Sequence, residues 1–513
     1  MTETSDKLDG RVLKIAGVVV LGAIMSILDV TVVGIALPTF QEDFNTSPAT
    51  AAWTMTGYTL ALATVIPLTG WAADRFGTKR LYMLALTLFI AGSILCSTAT
   101  DIGQLIIYRV LQGLGGGMLM PLGMTIMTRA AGPERVGRVM AVLGIPMLLG
   151  PIGGPILGGW LIEIASWHWI FLINLPIGII ALIYAQVVLP KDEPHPSESF
   201  DVVGMLLLSP GLAAFLYGVS SIPEEGTVAS AKVLAPALIG LALIVAFVFH
   251  ALRVEHPLID LHLFKNRQMT VAVIAMSLFA IAFMGAGSIL FPSYFIQVRA
   301  EDTLSTGLLL APQGLGAMIT MPIAGMIADK RGPGRVVLAG LVLVALGLST
   351  FTWMDDQTPY WLLLGSLFVM GLGLGATMMP IMAAAIRTLR DHMIARGSTL
   401  MNIVQQVAAS IGTAIMSVVL TNQFLDRPEV GQAAAAAKSQ EAMAQLAAQV
   451  GGPGNLEAFF AQASASAGEA FANTFIVALV LIVLTFIPAF FLPRTAKPVR
   501  EEPSADAPPA LMH

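Results

Sequence analysis

Fourteen stretches of this 513-residue chain are long and apolar enough to cross a bilayer, and only two positions inside them carry a charge, Asp29 and Arg109. Hydrocarbon offers no partner to an open backbone group, so a spanning chain must be helical or a closed barrel. Continuous runs of about 20 apolar residues are the helical signature. The fold class predicted is therefore an all-α polytopic membrane protein. A charge at mid-helix costs about 2.5–3.5 kcal/mol on insertion scales. Residues that unfavourable pair with each other, line a wet cavity, or do both. A polar centre in a membrane bundle makes a transporter the first hypothesis.

The predicted segments are Ile15–Leu37, Ala51–Gly70, Leu81–Ala99, Gln104–Thr128, Val139–Ile162, Trp169–Leu189, Val202–Ile222, Val233–Leu252, Met269–Ile296, Leu304–Ile327, Val336–Met354, Tyr360–Ile386, Ser398–Leu420 and Phe471–Pro493. Charge bias tests the count. Of the 27 Lys and Arg, 22 fall in alternate connections and at the two ends, four fall in the other connections, and Arg109 lies within a segment. A wrong count would scramble that alternation, so the positive-inside rule supports fourteen spans with both ends cytoplasmic.

Composition excludes several classes. The chain is 56% hydrophobic and 12% charged, against about 25% charged in soluble domains. A net charge of -5 points to no nucleic-acid partner. The single cysteine, Cys96, allows neither an intramolecular disulfide nor a thiolate metal cluster. Residues Met1–Gly10 are polar and precede a run of spanning length, so no cleavable signal peptide is evident. No phosphate-binding loop, zinc-ligand spacing or nucleophile–base arrangement appears. The expectation is a transporter rather than an enzyme, without cofactor, driven by an ion gradient. One proton crossing 100 mV supplies about 2.3 kcal/mol, which sustains on the order of a 50-fold gradient of a neutral solute.

A repeat gives the architecture. The connection after segment 2 reads Gly70-Trp-Ala-Ala-Asp74-Arg75-Phe-Gly77-Thr-Lys79-Arg80, and that after segment 10 reads Gly325-Met-Ile-Ala-Asp329-Lys330-Arg-Gly332-Pro-Gly-Arg335. Gly, Ala, Asp, Gly and Arg coincide at an offset of 255 residues. Each copy follows the second segment of its half, so segments 7 and 8 are an insert between two six-helix bundles, a known transporter plan. The predicted organisation is a cytoplasmic N-terminus (1–14), an N-terminal bundle (15–190), the two inserted helices and linkers (191–268), a C-terminal bundle (269–493) and a disordered cytoplasmic tail (494–513). The C-terminal bundle carries a long outer loop, 421–470, in which Ala433–Val450 reads as helical and Leu456–Ala472 restarts a helix.

The motif Gly70…Asp74-Arg75-x-Gly77-x-Lys79-Arg80 resembles the signature loop of the major facilitator superfamily. Segment 1 holds Leu28-Asp29-Val-Thr31, segment 4 holds Arg109-Val-Leu-Gln112-Gly113, and segment 5 holds Gly150-Pro151-Ile-Gly153-Gly154-Pro155-Ile-Leu-Gly158. Together with Trp167-His168-Trp169…Asn174-Leu-Pro176 these resemble the fourteen-helix drug:proton antiporters of that superfamily, the EmrB/QacA type. The resemblance implies multidrug efflux and antibiotic resistance, in a cell (cytoplasmic) membrane. It also implies that Gly150, Pro151, Gly153, Gly154, Pro155 and Gly158 form the antiporter-motif helix that seals the two halves together.

The residues suggest roles of their own. At 1.5 Å per residue, Asp29 and Arg109 both fall roughly 8–13 Å inside the outer ends of their segments, so one cavity is expected to hold them. A nearby arginine favours the ionised carboxylate, while desolvation favours the neutral acid. A group balanced between the two takes a proton in one conformation and releases it in another. Asp29 and Arg109 are therefore the proton-coupling candidates. Asp29, Gln112, Met120 and Met378 are the substrate-cavity candidates, since flexible thioethers suit a promiscuous apolar pocket. Gly70, Asp74, Arg75, Gly77, Lys79, Arg80, Asp329 and Arg335 are candidates for a conformational latch built of ion pairs. The expected partners are a small apolar or cationic substrate and membrane lipids, for a monomer whose outer loop is free to meet another protein. The rival readings are an exporter of lipid, siderophore or other apolar metabolite, a substrate-importing symporter, and a receptor or assembly subunit that transports nothing.

Overall fold

The computed structural model describes residues 9–495 except 133, 193–198, 226, 391–392, 437–439, 451 and 453–454. The tail expected to be disordered lies outside the described residues from position 496 onward. All regular structure among the described residues is helical. The membrane-length helices are α1 (Gly10–Asp43), α2 (Pro48–Phe76), α3 (Thr78–Ser97), α4 (Ile102–Ala131), α5 (Val136–Ile164), α6 (His168–Leu172 with Asn174–Val188), α7 (Val202–Ser220), α8 (Ala231–Ala251), α9 (Arg267–Gly285, prolonged to Gln297), α10 (Thr303–Arg331), α11 (Pro333–Thr350), α12 (Tyr360–Ile386), α13 (Ile394–Leu425) and α14 (Leu456–Phe490). Thirteen of them are long and apolar enough to cross a membrane. The exception is α5, a 29-residue helix whose described apolar stretch is only Val136–Pro146.

Local chemistry explains the boundaries. Asp9, Asp101, Asp201, Asn266 and Asp302 each turn a side-chain oxygen onto the first free N–H groups of α1, α4, α7, α9 and α10. In α9 the ladder widens to a π turn over Ala286–Leu290 just before Pro292, whose ring supplies no N–H to the carbonyl four residues back. The outer loop forms two short helices, Pro428–Ala436 and Gln440–Gln449. The helix expected to restart at Leu456 does not end at Ala472; it runs unbroken into the last span as the 35-residue α14.

Helices α1 to α6 pack on one another, as do α9 to α14. The halves meet through α5 on α10 and α12, and through α13 on α2 and α4. The pair α7–α8 packs on itself, with α7 laid against α2 and α13. Large apolar side chains such as Ile107, Leu206, Ile239, Leu346 and Val480 face outward, the surface a lipid solvent accepts and water does not.

The repeat read from one loop extends through the helix contacts, at an offset of 255 residues in α2 and α3 and 258 in α4. Gly115 of α4 rests on Ala85 and Phe89 of α3, and Gly373 of α12 rests on Gly340 and Val344 of α11. Gly113 meets the Tyr58 carbonyl, and Gly371 meets the Gln313 carbonyl. An added Cβ at any of these glycines would come within 3.0 Å of a neighbouring backbone atom, so both halves depend on the same close, small-residue packing.

Candidate functional site

Helix periodicity puts Arg109 and Gln112 on one face of α4, and that face meets α1 at Asp29. Arg109 Nη1 donates to Asp29 Oδ2 in an ion pair whose side chains are both 0% exposed. The same nitrogen donates to Gln112 Oε1 at 2.6 Å, and Gln112 Nε2 donates to Asp29 Oδ1 at 2.8 Å. Asn174 of α6 adds a third donor to that carboxylate at 3.2 Å. Ser93 of α3 accepts from both amides, at 2.7 Å from Gln112 and 3.3 Å from Asn174. Arg109 Nε donates to the Thr54 carbonyl at 3.0 Å, and the guanidinium lies 4.2 Å from the centre of the Tyr58 ring. Five helices thus converge on one carboxylate.

The two charges sit in a buried, hydrogen-bonded network between helices rather than at the protein surface. The cavity expected to hold Asp29 and Gln112 is closed in this conformation, because both are buried between helices. Of the other two cavity candidates, Met378 is buried and Met120 half-buried. One donor is left over: Arg109 Nη2 is buried with no partner among the described residues, which leaves it available to a water or ligand when the helices part. Asn174 entered the sequence reading only as part of a family motif, without a role, and Ser93, Thr54 and Tyr58 were not singled out at all. Their only signal is an uncharged polar group inside an apolar segment, which is also how ordinary interhelical hydrogen bonds look.

The latch candidates divide into three groups. Gly70 and Gly325 let the halves touch, the first on Ala395 and Arg396 of α13, the second on Gly137 and Arg138 of α5. Asp74 then faces Arg396 at 3.7 Å and its own half's Arg129 at 3.3 Å. Asp329 faces Arg138 at 3.6 Å and accepts the α5 N–H groups of Gly137 at 2.8 Å and Arg138 at 3.2 Å. These contacts close the end of the molecule that bears the basic loops. Gly77 and Lys79 work within one half instead. Gly77 takes φ +92° against Asp192, Asp192 caps α3 through the N–H groups of Lys79 and Arg80, and Lys79 Nζ caps α6 at Gln186 and Leu189. The side chains of Arg75, Arg80 and Arg335 are exposed at the surface.

The glycine face of α5 requires a correction. Gly150, Gly154 and Gly158 do not seal the two halves; they pack on Ile27, Thr31 and Val32 of α1, within the N-terminal half, and Gly153 touches Leu28. Thr31 Oγ1 lies 3.1 Å from the Gly150 carbonyl. The part of α5 that crosses to the other half is nearer its start, where Gly137 meets Gly325 and Gly144 meets Met321 and Met379. The side chains of Pro151 and Pro155 lie outside the described residues.

Known proteins share this plan. The sequence profile described as Major Facilitator Superfamily matches residues 19–413. The "Multidrug resistance protein B homolog" of Mycobacterium tuberculosis (strain ATCC 25618 / H37Rv) is 51% identical over 508 residues, covering 98% of this chain and 94% of that protein. The "Putative multidrug resistance protein MdtD" of Pectobacterium carotovorum subsp. carotovorum (strain PC1) is 30% identical over 405 residues, covering 79% and 86%. Among solved structures, the human organic anion transporter MFSD10 superposes with a TM-score of 0.60 at 14% identity, covering 93% of this chain and 100% of that one. The proton:xylose symporter XylE superposes with a TM-score of 0.56 at 15% identity, covering 93% and 96%. Such distant structures speak to the fold, while the profile and the 51% relative speak to descent. The chain is a multi-pass membrane protein and belongs to the Major Facilitator Superfamily of transporters.

Proposed function

We propose that this transporter is a proton-coupled exporter of lipophilic or amphipathic compounds, working by alternating access between its two halves. The proposal includes fourteen crossings, with the basic end and both termini on the cytoplasmic side of the cell membrane. Protons are the coupling ion and no cofactor takes part. The observation that carries it is the Asp29 carboxylate, fully buried and held by three side-chain donors from α4 and α6. All three donors sit on helices other than α1, so a shift of α1 would strip the carboxylate of compensation. A buried charge without partners neutralises itself by taking a proton. The ion pairs at the basic end hold that end shut in the present conformation, as one half-cycle requires. The printed names of the relatives, multidrug resistance proteins, favour drugs as cargo.

The test is efflux of a lipophilic cationic dye from proteoliposomes under an imposed pH gradient. Wild type should respond to the gradient, and Asp29→Asn should lose gradient-driven flux while keeping its elution profile, with a lower melting temperature because the buried Arg109 loses its counter-ion. Wild-type flux from Asp29→Asn would remove Asp29 from coupling. No dye flux in either protein would move the cargo to a lipid or other apolar metabolite.

A further inference from the structure

A cavity of about 470 Å³ opens at the basic end of the N-terminal half, between the start of α1, the α2–α3 turn, the end of α4 and the residues after α6. It is large enough for a small-molecule or headgroup site, and it lies far from Asp29, which is roughly 20 Å along α1 from Ile15 on the cavity wall. We propose that this cavity binds the phosphate headgroup of an anionic phospholipid.

The charges on its wall decide the sign of the ligand. Three carboxylates line it, and all three are engaged. Asp9 accepts the N–H groups of Arg11 and Val12, Asp192 those of Lys79 and Arg80, and Asp74 is paired with Arg129 and Arg396. Two of the four bases are engaged as well, Lys79 on the α6 carbonyls and Arg129 on Asp74. The side chains of Arg11 and Lys191 remain, and neither makes a hydrogen bond or ion pair among the described residues, although the Arg11 charge acts through space on Asp9. Four bases against three carboxylates make the wall cationic by one charge, and the two bases with unpartnered side chains sit on different elements, which is an arrangement a phosphate bridges. Behind the charges the wall is apolar, formed by Val12, Ile15, Ile126 and Leu189. A ligand that is anionic at one end and apolar at the other matches both parts. The site also lies where helices leave the bilayer, at the headgroup level. Asp74 and Arg129 belong both to this wall and to the contact with Arg396, so an occupied cavity touches the closure of the basic end.

The full-length protein in detergent would be titrated with dioleoylphosphatidylglycerol, dioleoylphosphatidylcholine or inorganic phosphate while its thermal unfolding midpoint is followed. The expected result is a saturable rise with phosphatidylglycerol alone. The variant Arg11→Gln/Lys191→Gln should need about 25-fold more of that lipid for half-saturation, roughly fivefold for each base removed. Because both side chains are exposed, the variant is expected to fold. The control Arg253→Gln/Lys265→Gln, which removes two exposed bases of the same end outside the cavity, should titrate like wild type. Equal shifts with phosphatidylcholine would overturn the anionic headgroup, and equal shifts with inorganic phosphate would overturn the lipid as its source. An unchanged titration in the Arg11/Lys191 variant, or an equal loss in the control, would overturn the cavity as the place.

Discussion

The two halves share a packing scheme and differ in what it encloses. Gly92 lies against Gln112 in the N-terminal half, and Gly347 lies against Met370 at the matching place in the C-terminal half. Following the same correspondence, Ser93, Cys96 and Arg109 are matched by Leu348, Phe351 and Leu367, all buried. Helix α9, the counterpart of α1, has no charged residue between Met269 and Ile296. Glycine contacts thus set helix spacing in both halves, while among the described residues a buried ion pair at mid-helix is found in the N-terminal half and apolar side chains fill the matching place in the C-terminal half. The backbone scheme does not need the charges. Packing of a half therefore does not by itself require an ion pair at that place.

The largest expected effect comes from breaking that difference unevenly. Arg109→Leu places the matching residue of the C-terminal half opposite a buried carboxylate and leaves that charge uncompensated, at a cost of about 3–5 kcal/mol. The triple variant Asp29→Leu/Arg109→Leu/Gln112→Met removes the whole charged set, and apolar replacement of a buried pair is commonly neutral or stabilising. Thermal unfolding should therefore show a sharp drop for the single variant and a return to wild-type stability or above for the triple. Gradient-driven flux should be absent from both. A triple variant no more stable than Arg109→Leu would mean that the network holds the N-terminal half together in a way the C-terminal half does not need.

A second comparison concerns the two aspartates at the basic end. Asp329 is 4% exposed and accepts two backbone N–H groups besides facing Arg138, whereas Asp74 is 20% exposed and faces Arg129 and Arg396. Charge-assisted hydrogen bonds to a buried group contribute about 1.5–3 kcal/mol, but a part-exposed ion pair only about 0.2–1 kcal/mol. Asp329→Asn should shift the population toward an open basic end by about tenfold or more, and Asp74→Asn by fivefold at most. Electron–electron distance measurements between spin labels at the exposed positions 75 and 335 would read both. Equal shifts would show that the repeated loops act as equivalent latches despite their unequal burial.

Much of this was legible in the sequence because the bilayer simplifies the code. Spans follow from apolar length, and the repeat follows from a loop whose glycines and aspartates recur at one offset. Asp29, Arg109 and Gln112 were findable because charges and amides stand out against apolar helices. What was not legible is which face of a helix meets which neighbour. The Gly150–Gly158 face gives a period but no partner, and the partner proved to be α1 of the same half. The contributions of Asn174 and Ser93 depend on α3 and α6 arriving at one point, which no local pattern states. Closure of the Asp29 site is a property of one conformation, and a sequence encodes the whole cycle.

The smallest expected effect separates the halves at their inner turns. Gly77 and Gly332 both adopt left-handed backbone, φ +92° and +85°, which a side chain resists. Each turn is closed by the stretch that follows the sixth helix of its own half, but by different means. Asp192 does it in the N-terminal half with a side chain that caps Lys79 and Arg80, and the Pro493 carbonyl does it in the C-terminal half by accepting the Gly334 N–H at 2.9 Å. Asp192→Ala removes a helix cap, a loss of about 0.5–2 kcal/mol. The corresponding contact at Gly334 involves backbone alone and no substitution of a side chain deletes it. Hydrogen exchange should therefore speed up at the start of α3 in Asp192→Ala while the start of α11 stays as in wild type. Faster exchange at both turns would mean that the two halves loosen together, and that the basic end behaves as one cooperative unit rather than two closures of different construction.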